Sequence, residues 1–376
     1  MGEPPKDFAS IEAVEAELVR CERAGEIDST TFESKRVALI VPDATRPFDP
    51  RVIEPLFRRL RGATEVVVIV GLGLHRRLTA AERRPYELTF RGVELLEHDA
   101  VSGCREVNRG VGLNERLFEA DVIVAVGVVE LHQYAGFSGG SKAISIGCGS
   151  RVTISRLHGT ELLRDRRVQI GRVHDNPFRE ALDAIAKTLR AELLGLQFVP
   201  SAGVVVFGRL GDSFEAAVAF AEPRSLRVVG APFDAIVLEV PSSKAMSFYQ
   251  ASRAATYVAE VPSPAIVEGG SLIIVAECPE GHGQGIGERA FEQAILRGRH
   301  RVLEELRLGV EAGGGAQRAM VLARVLERFR VALVGPELPG LAAFGVDRFR
   351  KLSEVRLNGS VAKIDPFECL PRLRER

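Results

Sequence analysis

Residues 121–143 constrain this chain more than any other stretch. Asp121-Val122-Ile123-Val124-Ala125-Val126-Gly127 is an apolar, β-branched run that reads as a buried strand. It runs into Val129-Glu130-Leu131-His132-Gln133-Tyr134-Ala135-Gly136-Phe137-Ser138-Gly139-Gly140-Ser141-Lys142-Ala143. A His leaves the strand end, three glycines loosen the backbone, and a Lys closes the loop. Strand, glycine-rich turn and helix start together make a recipe for holding a phosphate. Glycines let the backbone approach the anion, and N–H groups point at it. Ser138, Gly139, Gly140 and Lys142 are the candidates for that task. The loop is no Walker A, since Ser141 precedes Lys142 and Ala143 follows it. Lysine is scarce: seven occur among 50 basic residues. A chain that prefers Arg yet keeps Lys at a loop apex has use for an amine that can lose its proton and react.

Strand–helix alternation surrounds this stretch. Apolar Ile11, Val14, Leu18 and Cys21 suit an amphipathic helix over Ile11–Ala24. Arg36–Val41 reads as a strand ending in the polar turn Pro42-Asp43-Ala44-Thr45-Arg46-Pro47. A helix over Arg51–Leu60 follows, then a strand over Glu65–Val70 that runs into Gly71-Leu72-Gly73-Leu74-His75-Arg76. Thr79 with Glu82 three residues on reads as a helix N-cap. Further expectations are a helix over Phe178–Leu194, a strand over Phe198–Phe207 and a linker over Pro223–Pro232. A second series follows: a strand over Phe233–Val240, a helix over Phe248–Val261 and a strand over Ser271–Ala276. Helices over Glu288–Leu296, His300–Leu306 and Ala316–Phe329 precede a last strand over Arg330–Val334. The pattern predicts an α/β fold of two domains, 1–228 and 229–376, with largely parallel sheets and the active site in the cleft between them. Three strands end in reactive turns: Asp43/Arg46, His75/Arg76, and His132 to Lys142. In open α/β sheets ligands bind beyond the carboxyl ends of strands.

Composition narrows the class. A formal net charge of zero gives no global field for nucleic acid or anionic membrane. Five scattered cysteines without Cys-x-x-Cys argue against a disulfide framework or zinc ribbon. No apolar run reaches the ~18 residues of a membrane span, and Met1–Asp7 begins no signal peptide. A reducing, cytoplasmic location is the default.

The set Asp-Ala-Thr-Arg-Pro, Gly-x-His-Arg, His-x(3)-Gly-x-Ser-Gly-Gly-x-Lys, and His158 sixteen residues past the Lys resembles the nickel-dependent lactate racemase family. The similarity covers the first two hundred residues and reaches the second half through Ser247-Phe248-Tyr249-Gln250-Ala251-Ser252-Arg253. The resemblance implies a racemase or epimerase of α-hydroxy acids. Its cofactor would be a nickel-pincer nucleotide, pyridinium-3-thioamide-5-thiocarboxylic acid mononucleotide, supplied by cofactor-assembly enzymes. It implies that Lys142 carries the nucleotide covalently, that His158 ligates nickel, and that His75 and His132 are the acid/base pair. Asp43 and Arg46 would line the cofactor and substrate side, and Tyr249, Gln250 and Arg253 the substrate side. Lactate-specific members carry Lys where Arg253 stands, which puts lactate itself in doubt as substrate.

The chemistry explains the residue types. Removing a carbon-bound proton beside a carboxylate is hard, whereas hydride removal with loss of the hydroxyl proton avoids a second anion. A planar 2-keto acid can then take hydride on its other face. Two faces ask for two bases, and imidazoles suit the exchange. The hydride acceptor must be a cofactor, nickel with soft donors accepts a neutral imidazole, and Arg46 or Arg253 can grip the carboxylate.

Taken singly, each of these histidines reads as a structural residue at a strand or helix end. Their joint spacing carries the assignment. His98 and His300 read as surface residues. His174 reads as a turn residue that supports the site or caps a helix, and His282 as a turn residue with the pocket as its alternative. Arg76 is either an anion ligand or part of a charged face with Arg77, Arg83 and Arg84, and Cys278 reads as a turn residue. Rival classes are a zinc hydrolase or lyase using the same histidines, and a non-catalytic nucleotide- or metal-binding protein. The sequence names neither the acid nor the oligomeric state.

Overall fold

The computed structural model describes residues 10–46, 48–108, 110–310 and 314–374. Met1–Asp7 and Pro47, weighed above, lie outside them. The first sheet is built from β1 (Arg36–Val41), β2 (Glu65–Val70), β3 (Glu94–Glu97), β4 (Val122–Val128), β5 (Glu192–Val199) and β6 (Val204–Arg209). Their order is β6-β5-β4-β1-β2-β3, parallel except for the β5/β6 hairpin. All seven residues of β4 are buried, as a central strand covered on both faces requires. The strand order reverses between β1 and β4. That switch point opens a crevice beyond their carboxyl ends, and the turns bearing Asp43 and His132 both leave from there.

The second sheet contains β7 (Phe233–Glu239), β8 (Ile266–Val275), β9 (Arg330–Val334), β10 (Val346–Phe349) and β11 (Val361–Ile364). Its order is β10-β9-β8-β7-β11, parallel throughout. One buried apolar cluster joins Val129, Leu131, Phe137 and Phe214 to Phe248, Tyr257 and Leu272. The loop after β4 is thus packed against the second sheet's helices.

Local signals held where caps and periodicity agreed. The helix Ile11–Ala24 starts at Ser10, whose hydroxyl accepts from Ala13 N–H, buries Val14, Leu18 and Cys21, and stops at Gly25 with φ 70°. Thr79 and Glu82 form a full capping box, worth about 1 kcal/mol. Other expectations need correction. The helix after Asn176 spans only Pro177–Ala186, and Glu192–Val199 is a strand. Its Leu-rich run fits either period, and seven pairings with β4 decide it. Phe198–Phe207 is no single strand. It spans a hairpin turned at Gly203, φ 65°. The stretch Pro223–Pro232 is no bare linker, because Pro223 lies within a helix, Leu210–Ser225, that periodicity did not reveal. Leu226–Val229 then pairs in parallel with Leu370–Leu373.

Candidate active site

Beyond β1 the turn places Asp43 in the crevice. Tyr86 Oη donates to Pro42 O at 2.8 Å and anchors the turn's start. The Asp43 carboxylate accepts from Thr45 N–H (3.2 Å) and Thr45 Oγ1 (2.7 Å) on one oxygen. Its other oxygen lies 2.6 Å from His75 Nδ1. Burial alone would push this carboxyl up. The His75 ring, the Thr45 hydroxyl and Arg46 overcome that and hold it well below the usual carboxylate range. An ionised carboxylate only accepts, so Nδ1 of His75 bears the proton. His75 Nε2 lies 3.1 Å from Gln250 Nε2, and Gln250 Oε1 accepts from Arg253 Nη1 at 3.0 Å. Arg253 therefore fixes the amide so that its NH2 faces His75 Nε2 and donates to it.

His132 has the opposite proton. It sits on a two-residue ladder, Leu131–His132 against Gly136–Phe137. Its Nδ1 accepts from the backbone N–H of Tyr134 (3.3 Å) and Ala135 (3.1 Å). A neutral ring that accepts at Nδ1 carries its hydrogen on Nε2. Burial, then the nearby cations Lys142, Arg253 and Arg46, hold His132 well below the ordinary imidazole range, so it is neutral at pH 7.

The glycine loop is held from both sides. Gly140 N–H donates to Gln197 Oε1 at 3.1 Å, and Ser138 N–H donates to Glu130 O at 2.8 Å. Those two amides are spent inside the protein, so the expected anion cradle of loop N–H groups does not form at them. Arg179 takes the carbonyls of Gly139 (3.2 Å), Ala135 (3.3 Å) and Phe137, with its guanidinium over the Phe214 ring. Gly139 and Gly140 have φ 89° and 58°, and a Cβ on Gly140 would meet Phe214 Cγ at 2.8 Å. Their glycines serve tight packing and left-handed backbone.

Lys142 ends the loop, one residue before a π-helical turn, Ala143–Gly147. No hydrogen-bond acceptor or carboxylate among the described residues engages its amine. Burial first, then Arg46, Arg253 and Arg179, depress its pKa well below that of a free lysine. His158 caps the helix Arg151–Leu157 and donates from Nδ1 to Ile154 O at 2.8 Å. Its Nε2 is therefore a lone pair. Burial lowers this ring to about 4.

Asp43, Arg46, His75, His132, Ser138, Gly139, Lys142, His158, Tyr249 and Arg253 line one cleft. Gln250 stands behind it, against His75, and Gly140 is turned away into the packing. Arg253 is already engaged: it donates to Gln250 and Tyr257, and its guanidinium lies 5.1 Å from the Tyr257 ring. The sequence reading missed Gln317 and Arg318, which line the cleft from the second half. Arg318 stacks 3.8 Å from the Tyr249 ring and donates to Tyr249 O. The turn Gly314-Gly315 beside them was the available signal.

Several side readings change. His98 is no surface residue: it is 3% exposed and bonds Gly149 O (2.9 Å) and Asn114 Nδ2 (3.1 Å). It faces inward because the turn after β3 brings it under the Gly149 carbonyl. His174 is exposed, and Asn176 caps the helix instead. His282 is buried against Phe248 and Phe291, bonds Pro339 O, and stays out of the cleft. Arg76 is engaged by Glu82 and Glu280, each at 2.7 Å. Burial pushes the Cys278 thiol up to about 12, in keeping with a turn residue.

A covalently held, metal-bearing group fits this cleft. An unengaged amine with a depressed pKa and an imidazole with a free Nε2 face the same space. Among the described residues no group of three or more His, Cys, Asp and Glu converges on one point. A zinc hydrolase would need three protein ligands. A group that brings its own donors needs only His158. No described helix is long and apolar enough to cross a membrane.

Comparison with known proteins finds likenesses to lactate racemases. The family described as "Lactate racemase N-terminal domain" matches residues 3–171. A lactate racemase of Thermoanaerobacterium thermosaccharolyticum is 26% identical over 328 residues, covering 80% of this chain and 73% of the relative. One from Lactiplantibacillus plantarum is 26% identical over 298 residues, covering 72% and 67%. The lactate racemase apoprotein structure from T. thermosaccharolyticum superposes with a TM-score of 0.77 at 21% identity, covering 98% of this chain and 96% of that one. A Thermotoga maritima structure gives 0.74 at 18% identity, covering 98% and 100%. These structural likenesses establish the shared fold.

Proposed function

The chain belongs to the lactate racemase family, and from that membership we propose that it inverts the hydroxyl-bearing carbon of an α-hydroxy acid. The observation that carries this reading is the pair of imidazoles on one cleft, held by their partners with the proton on opposite ring nitrogens. His75 offers a lone pair at Nε2, and His132 offers a proton there.

Lys142 would hold a nickel-pincer nucleotide through its amine, and His158 would give its Nε2 to the nickel. When bound, that group supplies the hydride acceptor that no side chain offers. His75 takes the hydroxyl proton of one enantiomer, with Asp43 stabilising the imidazolium. Arg46 or the remaining N–H groups of Arg253 hold the carboxylate while the planar 2-keto acid turns. His132 acts on the other face, giving the keto oxygen its Nε2 proton once its Nδ1 has taken one, so that the ring ends neutral.

Arg253 in place of Lys favours an acid other than lactate, with a larger or second polar substituent. Maturation would need the cofactor-assembly enzymes, and the five free thiols suit a reducing compartment. The test is a panel of single-enantiomer α-hydroxy acids incubated with protein produced beside those enzymes. Loss of optical activity with at least one acid is expected. Retention of optical activity across the panel by protein carrying the adduct mass would overturn the reading.

A further inference from the structure

Lys244 is the buried charge that the mechanism above leaves unused. It stands in the connection between β7 and the helix Phe248–Ala251, in the second half of the chain, and is 1% exposed. Its Nζ donates to Thr45 O at 2.6 Å and to Glu130 Oε2 at 3.2 Å. The same Glu130 oxygen accepts from Arg46 Nη1 at 2.9 Å. Thr45 is the residue whose hydroxyl and N–H hold the Asp43 carboxylate against His75. Glu130 lies two residues before His132, and its N–H is tied to Ser138 Oγ at 3.1 Å.

We propose that Lys244 is a positioning residue that sets both acid/base histidines from the opposite half of the chain. One ammonium fixes the turn that presents the Asp43–His75 pair and, through Glu130, the strand end that presents His132. A buried lysine is costly unless every contact is productive. Here its contacts are a carbonyl and a carboxylate already in use by the site. Truncating it leaves Glu130 with Arg46 alone and frees the Thr45 carbonyl. The Asp43 turn then loses the tie to the β7 connection that this ammonium makes. Lys244 touches neither substrate nor reacting atoms on this view, and acts by holding the geometry within the fraction of an ångström that proton transfer needs. The catalytic part of the inference rests on the racemase reading, while the geometric part does not.

The experiment compares wild type with Lys244→Met, which keeps the aliphatic stem, and Glu130→Gln, which keeps the shape and removes the charge. All are full-length, produced with the assembly enzymes, and checked for adduct mass. Lys244→Met is expected to lose kcat by about 30-fold or more while KM stays within about threefold, the pattern of a lost transition-state geometry. Histidine 15N NMR of the substrate-free protein gives the second readout. Wild type is expected to hold His75 as one tautomer, protonated at Nδ1, and Lys244→Met to show a mixture. Glu130→Gln should move both readouts in the same direction by a smaller amount, and it carries the test if Lys244→Met fails to fold. A kcat within threefold of wild type, or a single unchanged His75 tautomer in the folded variants, overturns the proposal. A wild type that racemises nothing sinks the racemase reading instead, and the tautomer comparison then decides Lys244 by itself.

Discussion

Asp43 Oδ2 lies 2.6 Å from Nδ1 of His75, and this contact decides which nitrogen of the imidazole faces the cleft. A carboxylate can only accept, so Nδ1 bears a proton and Nε2 is the nitrogen left to face the cleft. Asp43→Asn keeps the size but can donate to Nδ1, which would reverse the tautomer. Its kcat is expected to fall by about 100- to 10,000-fold, the range for loss of acid–base help, with little change in KM. Steady-state kinetics on the most active acid of the panel checks this. Activity above a tenth of wild type would remove the dyad from the mechanism.

The two histidines should fail together in both directions. Every productive cycle visits both faces, so His75→Ala and His132→Ala should each abolish racemisation started from either enantiomer, again by about 100-fold or more. Polarimetry from each pure enantiomer measures it. A variant that still converts one enantiomer at wild-type rate would show that its histidine serves neither face.

Attachment and ligation separate cleanly. Lys142→Ala should fold, because its amine makes no hydrogen bond or ion pair among the described residues, and should carry no covalent nucleotide. His158→Ala should keep the adduct mass and lose most nickel. Intact mass under denaturing conditions and metal analysis read the two. Adduct on the first variant, or full nickel in the second, would reassign these residues.

Acid should destabilise the fold earlier than carboxylate titration alone. His98, His132 and His158 are held below the ordinary imidazole value, chiefly by burial, His158 at about 4. The unfolded chain binds protons at these rings near pH 6.5 while the folded one does not. Their contribution is therefore full above about pH 6.5 and is lost as pH falls towards 4. Thermal melts of cofactor-free protein should show Tm dropping across that window. His98→Gln, remote from the metal-ligand candidate, should shallow the slope. A flat Tm from pH 7 to 4.5 would contradict the neutral buried rings.

Gly127 tests the packing under the glycine loop. A Cβ there would press on the Gln197 side chain and come within 3.0 Å of Gly139 Cα. Gly127→Ala should destabilise by about 1–3 kcal/mol. It should also loosen the Gln197 bond to Gly140, seen as a lower denaturation midpoint together with lower adduct occupancy. An unchanged midpoint would mean that the loop yields without cost.

The strand tips, the capped helices Ile11–Ala24 and Ala80–Thr89, and the residues that converge on the cleft were legible in the sequence. They depend on neighbours a few residues away: apolar period, cap and glycine punctuation. The β5/β6 hairpin was misread because a Leu-rich run has no period of its own, and pairing with β4 settled it. Gly140 was read as an anion contact because glycine signals permissive backbone without saying what the space is for.

By itself, the sequence determined an α/β chain whose polar strand ends lead into Asp43, His75, His132 and Lys142, with His158 at a helix end further on. Tertiary structure alone decided which nitrogen each imidazole presents, that Arg253 is spent on Gln250 and Tyr257, and that Arg179, Gln197 and Lys244 hold the site in place. The reason is distance along the chain. His75 is set by partners 32 and 175 residues away, and Lys244 meets Thr45 across 199. Proton placement follows from who donates to whom in the folded crevice, and no local pattern encodes that.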